Sequence, residues 1–212
     1  MWNVETFFSL TSYAHQALWE NNSLVWNALQ HIPDYLSSKH LGVIEIEIPE
    51  GVYLKDPHLI SIGKETLIEP GAYIKGPCII GNRCTIGHSS YLRGNIITGD
   101  GCVIGHATEI KNTILLNEAK APHFNYVGDS ILGNRVNLGA GVKCANLRFN
   151  KSPIRIHIEG KKIETGLHKL GAILGDDVHI GCNAVTSPGT LIEKGACIPP
   201  CTHVKGVVKK QL

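Results

Sequence analysis

The amino-acid sequence predicts an all-β fold, a parallel β-helix preceded by a short helical segment and interrupted by a β arm. The first observation is a branched aliphatic residue at almost every sixth position, with Thr98 as the exception. The second is a compact residue four positions after each aliphatic, and the third is a glycine that often follows the aliphatic directly. Six is the period of neither a helix nor a strand, and it is typical of a hexapeptide-repeat β-helix. The aliphatic series is Ile62, Ile68, Ile74, Ile80, Ile86, Leu92, Ile104, Ile110 and Leu116.

Three hexapeptides close one triangular coil of 18 residues. Residues 18 apart are therefore expected to stack vertically, at a spacing of about 4.8 Å. This stacking rule sorts the outward-facing residues into columns along each wall.

Composition limits the function classes. The chain has 212 residues and a formal net charge of +2, which fits one ordinary domain and gives no reason to expect a nucleic-acid partner. No apolar stretch is long enough to span a membrane, so no membrane association is expected and the predicted location is the cytoplasm. Of the seven Cys residues, Cys78, Cys84 and Cys102 occupy the compact inward position of the repeat and are interpreted as small core residues rather than disulfides or zinc ligands, so no metal site is expected.

Residues 1–40 form the predicted N-terminal helical segment. Leu24, Ala28, Leu29, Ile32 and Leu36 have helical spacing, and Asn22 or Ser23 could cap the helix. A stacked coil exposes a strand edge at each end, so we expect these helices to cover one end of the β-helix. The β-helix itself is predicted over 41–206, with an irregular first coil and a C-terminal tail at 207–212.

Two interruptions divide the β-helix. The aliphatic series resumes at Leu132 with its phase moved by four positions, which predicts an irregular corner between 117 and 131, around His123. The second interruption covers 145–173, where Ile154, Ile156 and Ile158 alternate with polar residues and predict a projecting two-stranded arm. Irregular loops on a rigid scaffold are the usual position of functional residues.

One outward column predicted by the 18-residue rule consists of Lys75, Arg93 and Lys111. Like charges in such a column repel one another unless an anion or a carboxylate lies among them. The column therefore predicts a phosphate-binding wall. The alternative is a solvated edge kept basic to prevent strand pairing.

The segments Lys120–Asp129, Val136–Gly141 and Cys144–Asn146 resemble the acetyltransferase half of bifunctional N-acetylglucosamine-1-phosphate uridyltransferase/glucosamine-1-phosphate acetyltransferase. The resemblance covers roughly residues 60 to 206. It implies a left-handed β-helix, a homotrimer with active sites between subunits, and acetyl-CoA as co-substrate. It also implies an N-acetyltransferase that acts on an amino-sugar 1-phosphate, most directly glucosamine-1-phosphate.

The resemblance also implies residue roles. His123 is similar to the catalytic base, and Asn146 to the residue that orients the amine. The positions similar to contacts of the sugar phosphate are Arg93, Lys111, Tyr126, Asn137 and, from the arm, Lys151 and Arg155. Those similar to contacts of the coenzyme are Ala140, Cys182 and Pro200. Such an enzyme needs no nucleophile of its own, because the amine attacks the thioester once a base has taken its proton.

Three features depart from the family pattern. The 40 residues before the β-helix cannot form a nucleotide-binding sheet, so the chain is not expected to make UDP-sugars, and a separate uridyltransferase is the expected partner. Pro122 replaces a glycine before His123, and its ring restricts Ala121 to extended backbone. Cys182 and Pro200 replace Ser and Ala, and Pro200 has no backbone N–H to donate to the coenzyme.

Three alternatives remain open at this point. A γ-type carbonic anhydrase shares the prism but needs two His residues five positions apart, a spacing absent here. A non-catalytic trimeric β-helix module would explain the repeat but not the set of matching polar residues. The third alternative keeps acyl transfer and changes the acyl chain or the acceptor, for example to galactosamine-1-phosphate or a nucleotide-linked amino sugar.

Overall fold

The protein is a triangular solenoid of parallel strands in a computed structural model that describes residues 2–20, 24–158 and 160–210. Its three walls are parallel sheets of eight, eight and seven strands, and a separate pair of strands forms the arm. The predicted all-β, left-handed parallel β-helix with an N-terminal helical segment and an inserted β arm is confirmed.

The helical elements precede or border the first coil. They are α1 (Val4–Phe7), α2 (Ala28–Ser37) and three 3₁₀ turns at Gln16–Trp19, Val25–Asn27 and Pro57–Leu59. The proposed cap residues Asn22 and Ser23 lie outside the described residues. The strands are β1 (Tyr53–Lys55), β2 (Ile60–Ile62), β3 (Leu67–Ile68), β4 (Tyr73–Lys75), β5 (Cys78–Ile80), β6 (Thr85–Ile86), β7 (Tyr91–Leu92), β8 (Ile96–Thr98), β9 (Val103–His106), β10 (Glu109–Lys111), β11 (Thr113–Leu115), β12 (Lys120–His123), β13 (Tyr126–Gly128), β14 (Ile131–Leu132), β15 (Asn137–Leu138), β16 (Lys143–Cys144), β17 (Arg155–Ile158), β18 (Lys161–Glu164), β19 (Ala172–Leu174), β20 (His179–Ile180), β21 (Val185–Thr186), β22 (Thr190–Ile192), β23 (Cys197–Ile198), β24 (His203–Val204) and β25 (Val207–Val208).

Each wall takes every third strand, as the three-hexapeptide coil requires. Sheet I has the order β1-β4-β7-β10-β13-β16-β21-β24. Sheet II has the order β2-β5-β8-β11-β14-β19-β22-β25, and sheet III runs β3-β6-β9-β12-β15-β20-β23. The chain passes from sheet III to sheet I and then to sheet II in every turn, so each pair of walls meets at one kind of corner.

The inward residues form one continuous core through the prism. Every aliphatic of the first series from Ile62 to Ile110 belongs to it, as do Leu132, Leu138 and Cys144 of the second. Thr98, the exception in the series, is also fully buried. Period six therefore identifies the core because it fixes one inward residue per strand.

The change of phase has a different cause from the predicted irregular corner. Ile97 pairs with Ile114 and Ile114 with Ile131, which gives two turns of 17 rather than 18 residues. Both deletions fall at the corner from sheet I to sheet II, since the inward residues there are Ile110 and Leu115, then Val127 and Leu132. The prediction that Leu116 continues the inward series is wrong, because Leu115 occupies that position. The interval 117–131 contains the regular strands β12 and β13.

The N-terminal segment packs against a wall rather than covering an end, so that prediction is wrong. Sheet II has an outward apolar column, and its buried members join one hydrophobic cluster with Trp26, Leu29 and Ile32 of the N-terminal segment. This column is Ile79, Ile97, Ile114, Ile131, Ile173, Leu191 and Val207. Burying one such side chain contributes roughly 1.5–3 kcal/mol, so the wall rather than the open edge attracts the helices.

The arm is two-stranded, as predicted, but it does not project. Strands β17 and β18 pair antiparallel, with Arg155 opposite Glu164. The alternating residues Ile154, Ile156 and Ile158 are buried in the same cluster as the outward column of sheet II. The alternation therefore marks the face of the arm that packs on the solenoid.

Candidate active site

Sheet I carries a column of four cations on its outer face. Strand pairing places Lys55 beside Lys75, and it places Leu92 between Ile74 and Ile110, which aligns Arg93 and Lys111 with the same column. We refer to Lys55, Lys75, Arg93 and Lys111 as the cation column. The sequence analysis found the last three, and it missed Lys55 because the turn from Lys55 to Lys75 has 20 residues instead of 18.

Two carboxylates accompany the last two cations. Arg93 Nη1 donates to Glu109 Oε1 at 2.7 Å, and this hydrogen bond raises the pKa of the Arg93 guanidinium above its ordinary value. Both side chains of this pair are partly exposed, at 41% and 36%. Lys111 Nζ donates to Asp129 Oδ2 at 2.9 Å, in a pair that is only 18% and 7% exposed. The outer pair contributes little and can exchange its partners, whereas the inner one is a fixed part of the structure.

Asp129 is the centre of a hydrogen-bond network on this wall. Its Oδ1 accepts from Asn112 Nδ2 at 3.0 Å, and its Oδ2 accepts from Asn146 Nδ2 as well as from Lys111. Asn146 Nδ2 also approaches the Tyr126 hydroxyl at 3.3 Å. The structure therefore brings together three residues proposed from sequence, Lys111, Tyr126 and Asn146, around a carboxylate to which the sequence analysis gave no role.

The two shortened corners explain why this network forms. Asn112 and Asp129 are the corner residues of successive 17-residue turns, and both have the left-handed backbone, with φ of 45° and 50°. Asp129 N–H donates to Lys111 O at 3.0 Å, which holds the second corner directly against the first. Asn and Asp tolerate this conformation better than most residues. The signal in the sequence was the loss of one residue at each corner.

His123 lies at the end of β12, where sheet III turns into sheet I, and its side chain is exposed. The backbone N–H of His123 donates to Asn125 Oδ1 at 3.1 Å, and Nδ2 of the buried Asn125 donates in turn to Gly139 O at 2.8 Å. The turn is thus fixed from below, while the imidazole makes no hydrogen bond within the described residues. In the sequence, only Phe124 and Asn125 separate His123 from Tyr126, which is a member of the network around Asp129.

The coenzyme candidates lie in the same corner column as His123. Gly141 N–H donates to His123 O at 2.9 Å, Asn183 N–H to Ala140 O at 2.8 Å and Cys201 N–H to Cys182 O at 2.8 Å. With the register of sheet III, these bonds stack His123, Ala140, Cys182 and Pro200 in successive turns. A long ligand could therefore run from the imidazole along this corner.

The cation Lys143 belongs to this corner and was missed from the sequence. Its Nζ donates to Gly141 O at 2.6 Å and to Phe124 O at 3.4 Å. It bridges the turn of His123 and the turn of Ala140, which holds these two turns together. In the sequence, Lys143 is distinguished by its outward position directly after a corner.

Other predicted residues lie apart from this cluster within one chain. Asn137 faces outward from sheet III, between Lys120 and His179. Arg155 is on the arm, where its Nε lies 2.9 Å from Glu164 Oε1. Lys151 is exposed and its carbonyl oxygen accepts from His168 Nδ1 at 3.1 Å. The proposed phosphate contacts of Lys151 and Arg155 stay predictions.

A groove of about 980 Å³ separates the arm from the last turns of sheet I. It begins at Ala145, next to Asn146, and is lined by cations of both elements, among them Arg148, Arg155 and Lys205. Phe149 at its rim is fully exposed. The groove thus extends the site towards the C-terminal turns.

The described residues form neither a metal-binding cluster nor a membrane-spanning helix. No group of three or more His, Cys, Asp or Glu side chains among them could hold a metal ion. Within the same ranges, no helix has the length and apolar character needed to cross a membrane.

Comparisons with known proteins agree with the fold and the motifs. The family described as the GMPPB C-terminal domain matches residues 74–181. A protein of Sulfurisphaera tokodaii named bifunctional sugar-1-phosphate nucleotidylyltransferase/acetyltransferase is 35% identical over 190 residues, which cover 88% of this chain and 46% of that protein. The chain thus spans about half the length of this relative.

Two further relatives differ in how much of their length is matched. Bifunctional protein GlmU of Methanococcus maripaludis strain C7 is 42% identical over 86 residues, 41% of this chain and 21% of that protein. Escherichia coli K12 YaiX, named a putative uncharacterized acetyltransferase, is 31% identical over 183 residues, 82% of this chain and 80% of its own. The chain therefore belongs to the family of the GMPPB C-terminal domain, as a hexapeptide-repeat relative of the acetyltransferase part of GlmU-type proteins.

Proposed function

We propose that the protein is an N-acetyltransferase that moves the acetyl group of acetyl-CoA to the amine of an amino-sugar 1-phosphate, most directly glucosamine-1-phosphate. The observation that carries this proposal is the network of Lys111, Asp129, Asn146 and Tyr126 directly after an exposed imidazole. A cation, a carboxylate and an amide lie together on sheet I, and an imidazole lies at the corner that precedes it. The names of the relatives support the same reaction class.

The cations would hold the phosphate of the acceptor. An ammonium group has three donors, and Lys111 uses one of them for Asp129, so two remain for phosphate oxygens. Arg93 is held by Glu109 in a half-exposed pair, which a doubly charged phosphate can replace at small cost. Fixing the phosphate aims the amine, and such orientation is a large part of catalysis in two-substrate reactions.

His123 would act as the general base. An amino sugar enters mostly as ammonium, and an imidazole is the side chain most often used to take such a proton at neutral pH. The free amine then attacks the thioester carbonyl, the carbon–sulfur bond breaks, and the coenzyme leaves as thiolate, which can take the proton back from His123. A backbone N–H near Ala140, in the next turn of the same column, would stabilise the oxyanion.

Asn146 would orient the amine, since its Oδ1 remains available while its Nδ2 is held by Asp129 and Tyr126. The coenzyme would follow the corner column past Cys182 and Pro200. We also propose that the protein acts as a homotrimer, because exposed Phe124, Leu147 and Phe149 border the site and would be covered by a neighbouring copy. With glucosamine-1-phosphate as the acceptor, a separate uridyltransferase would consume the product.

The test is thiol release by purified protein with acetyl-CoA and glucosamine-1-phosphate. We expect turnover that falls about 100-fold or more in His123→Ala, because a positioned base contributes at least this factor. His88→Ala is the matched control, since His88 is an exposed histidine two turns away at the same kind of corner. Equal activity of the two variants would exclude His123 as the base, and no thiol release from any amino-sugar phosphate would favour a non-catalytic module.

A further inference from the structure

Sheet I carries a second outward column beside the cation column, in the turns before the proposed acceptor site. Tyr53 pairs with Tyr73 and Tyr73 with Tyr91, so three tyrosines stack in successive turns. We refer to them as the tyrosine column. Each tyrosine stands two residues before a member of the cation column. The N-terminal segment and the arm join the cluster on sheet II instead, and these tyrosines are not part of it.

The tyrosine column presents aromatic surface to solvent. The rings of Tyr53 and Tyr73 are stacked with centroids 4.9 Å apart, and Tyr91 contacts Tyr73 edge-on at 5.4 Å. Tyr53 is 57% exposed and Tyr91 43% exposed. The Arg93 guanidinium lies 5.9 Å from the Tyr91 ring centre, so aromatic and cationic surfaces are continuous. Such surfaces stack heteroaromatic bases in single-stranded nucleic-acid sites.

Among the neighbouring cations, Lys75 is the one whose charge no carboxylate compensates within the described residues. Lys75 is exposed and has no ion pair or hydrogen bond within the described parts of the chain, and Lys55 reaches only Asp56 at 3.9 Å. Arg93 and Lys111 each have one carboxylate. Successive cations repel each other by roughly 0.2–1 kcal/mol per pair, which a bound anion would relieve. The column therefore leaves Lys75 available for an anion beyond a first phosphate at Arg93 and Lys111.

The spacing of the two columns fits one class of ligand. From Lys111 to Lys75 is two turns, about 10 Å along the wall. This span can hold two linked phosphates, with the first at Arg93 and Lys111 and the second towards Lys75. A base attached beyond the second phosphate would then reach Tyr73 or Tyr91. Phosphates in series followed by a flat ring are the features of a nucleoside diphosphate.

We infer that sheet I carries a nucleoside diphosphate subsite formed by the tyrosine column and Lys75, so that the acceptor is an amino sugar already linked to a nucleotide. This inference rests on the proposed function, because the same amine reacts at His123 and the sugar 1-phosphate is the part shared by both acceptors. The inference adds to the proposed function the chemical class of the acceptor. A bare sugar phosphate would fill only half of the wall.

The acceptor test compares kcat/KM for UDP-glucosamine and glucosamine-1-phosphate with acetyl-CoA. We expect the nucleotide-linked acceptor to be better by about 10-fold or more, as one stacked base and one added phosphate contact suggest. Tyr73→Leu and Lys75→Ala should each lower the ratio of the two values about 10-fold. Lys64→Ala is the control, since Lys64 is an exposed lysine of the same early turns outside both columns. An equal or reversed ratio in the wild type, or a ratio that the variants leave in place, would overturn the inference.

Calorimetry with UDP separates this inference from the proposed function. UDP binding that weakens about 10-fold in Tyr73→Leu would support the subsite, whether or not any acceptor is acetylated. Absence of acetylation together with such binding would contradict the proposed function alone. Undetectable UDP binding by active wild-type protein would overturn the subsite alone. Dissociation of the oligomer in Tyr73→Leu, measured by light scattering, would assign the tyrosine column to a subunit contact and also overturn it.

Discussion

Sheets I and II both have mainly aliphatic inward residues, but their outward residues differ in polarity. On sheet II the outward position is aliphatic from Ile79 to Val207, and the N-terminal segment and the arm cover most of it. On sheet I the outward positions from Tyr53 to Lys111 are tyrosines, cations and Glu109, all of them at least partly exposed. The inward period therefore specifies the solenoid, and the outward column decides whether a wall holds the rest of the chain or a ligand.

The largest effect should come from shortening an outward residue of sheet II. Ile97→Ala removes a fully buried side chain from the cluster with the N-terminal segment, which should lower the free energy of unfolding by about 2–5 kcal/mol. Val185→Ala, at an outward position of sheet I that is 37% exposed, should change it by about 0.5 kcal/mol or less. Denaturant unfolding of both variants measures the contrast, and equal losses would break the comparison.

The next effect contrasts the two carboxylates of sheet I. In Asp129→Asn the new amide must turn an NH₂ group towards one of the donors Lys111, Asn112 or Asn146, so at least one hydrogen bond is lost in a buried place. We expect a loss of about 1–3 kcal/mol in the free energy of unfolding. Glu109→Gln, in the exposed pair with Arg93, should cost about 1 kcal/mol or less. A larger loss of stability in Glu109→Gln than in Asp129→Asn would show that the Arg93–Glu109 pair, and not the Lys111–Asp129 pair, is the one fixed in the structure.

The third effect is a pH dependence of the free energy of unfolding, caused by His15 of the N-terminal segment that packs on sheet II. Burial lowers the pKa of His15 from 6.5 to about 4, against a smaller opposing effect of Asp100, while Lys39 acts in the same direction as burial. The unfolded chain therefore takes up a proton between pH 6.5 and 4 that the folded chain does not, so stability falls as the pH decreases through this window. Above pH 6.5 His15 should have no such effect.

Melting temperatures at pH 7.5 and 5 measure this effect against His15→Gln, which cannot titrate. The wild type should lose more stability than the variant between these two values. His157→Gln, at an exposed histidine of strand β17, should follow the wild type. An identical pH response of His15→Gln and the wild type would remove His15 from the explanation.

The smallest effect concerns repulsion within the cation column. Lys75→Ala should raise the free energy of unfolding by about 0.2–1 kcal/mol at low ionic strength, because it removes a like charge between Lys55 and Arg93. The gain should shrink in 0.5 M salt, where screening is effective. A loss of stability in Lys75→Ala would indicate that the lysine is compensated in the folded protein.

The sequence predicted the solenoid and its core well because a period of six admits one inward residue per strand. It placed the change of phase wrongly, since two one-residue deletions at 110–115 and 127–132 have the same effect on the count as one irregular loop. The doublets Ile79-Ile80, Ile114-Leu115 and Ile131-Leu132 were a usable signal for the covered wall. Two adjacent aliphatics mean that a strand is buried on both faces.

The candidate site was predictable only in part. The cation column followed from spacing, and His123 and Asn146 followed from resemblance to a family. The role of Asp129 could not be read from sequence, because two of its donors, Lys111 and Asn112, come from the preceding corner and the third, Asn146, from the start of the arm. Those distances depend on how tightly the shortened corners stack, which no periodicity expresses.

The occupied wall also restricts how copies of this protein can associate. Only sheets I and III remain available along the prism, and these two faces differ in chemistry. A two-fold dimer through sheet I would bring the cation column of one copy against that of the other, which like charges oppose. A ring of three or more copies uses two unlike faces of each copy, which meet head to tail. The difference between the walls therefore favours such a ring over a two-fold dimer.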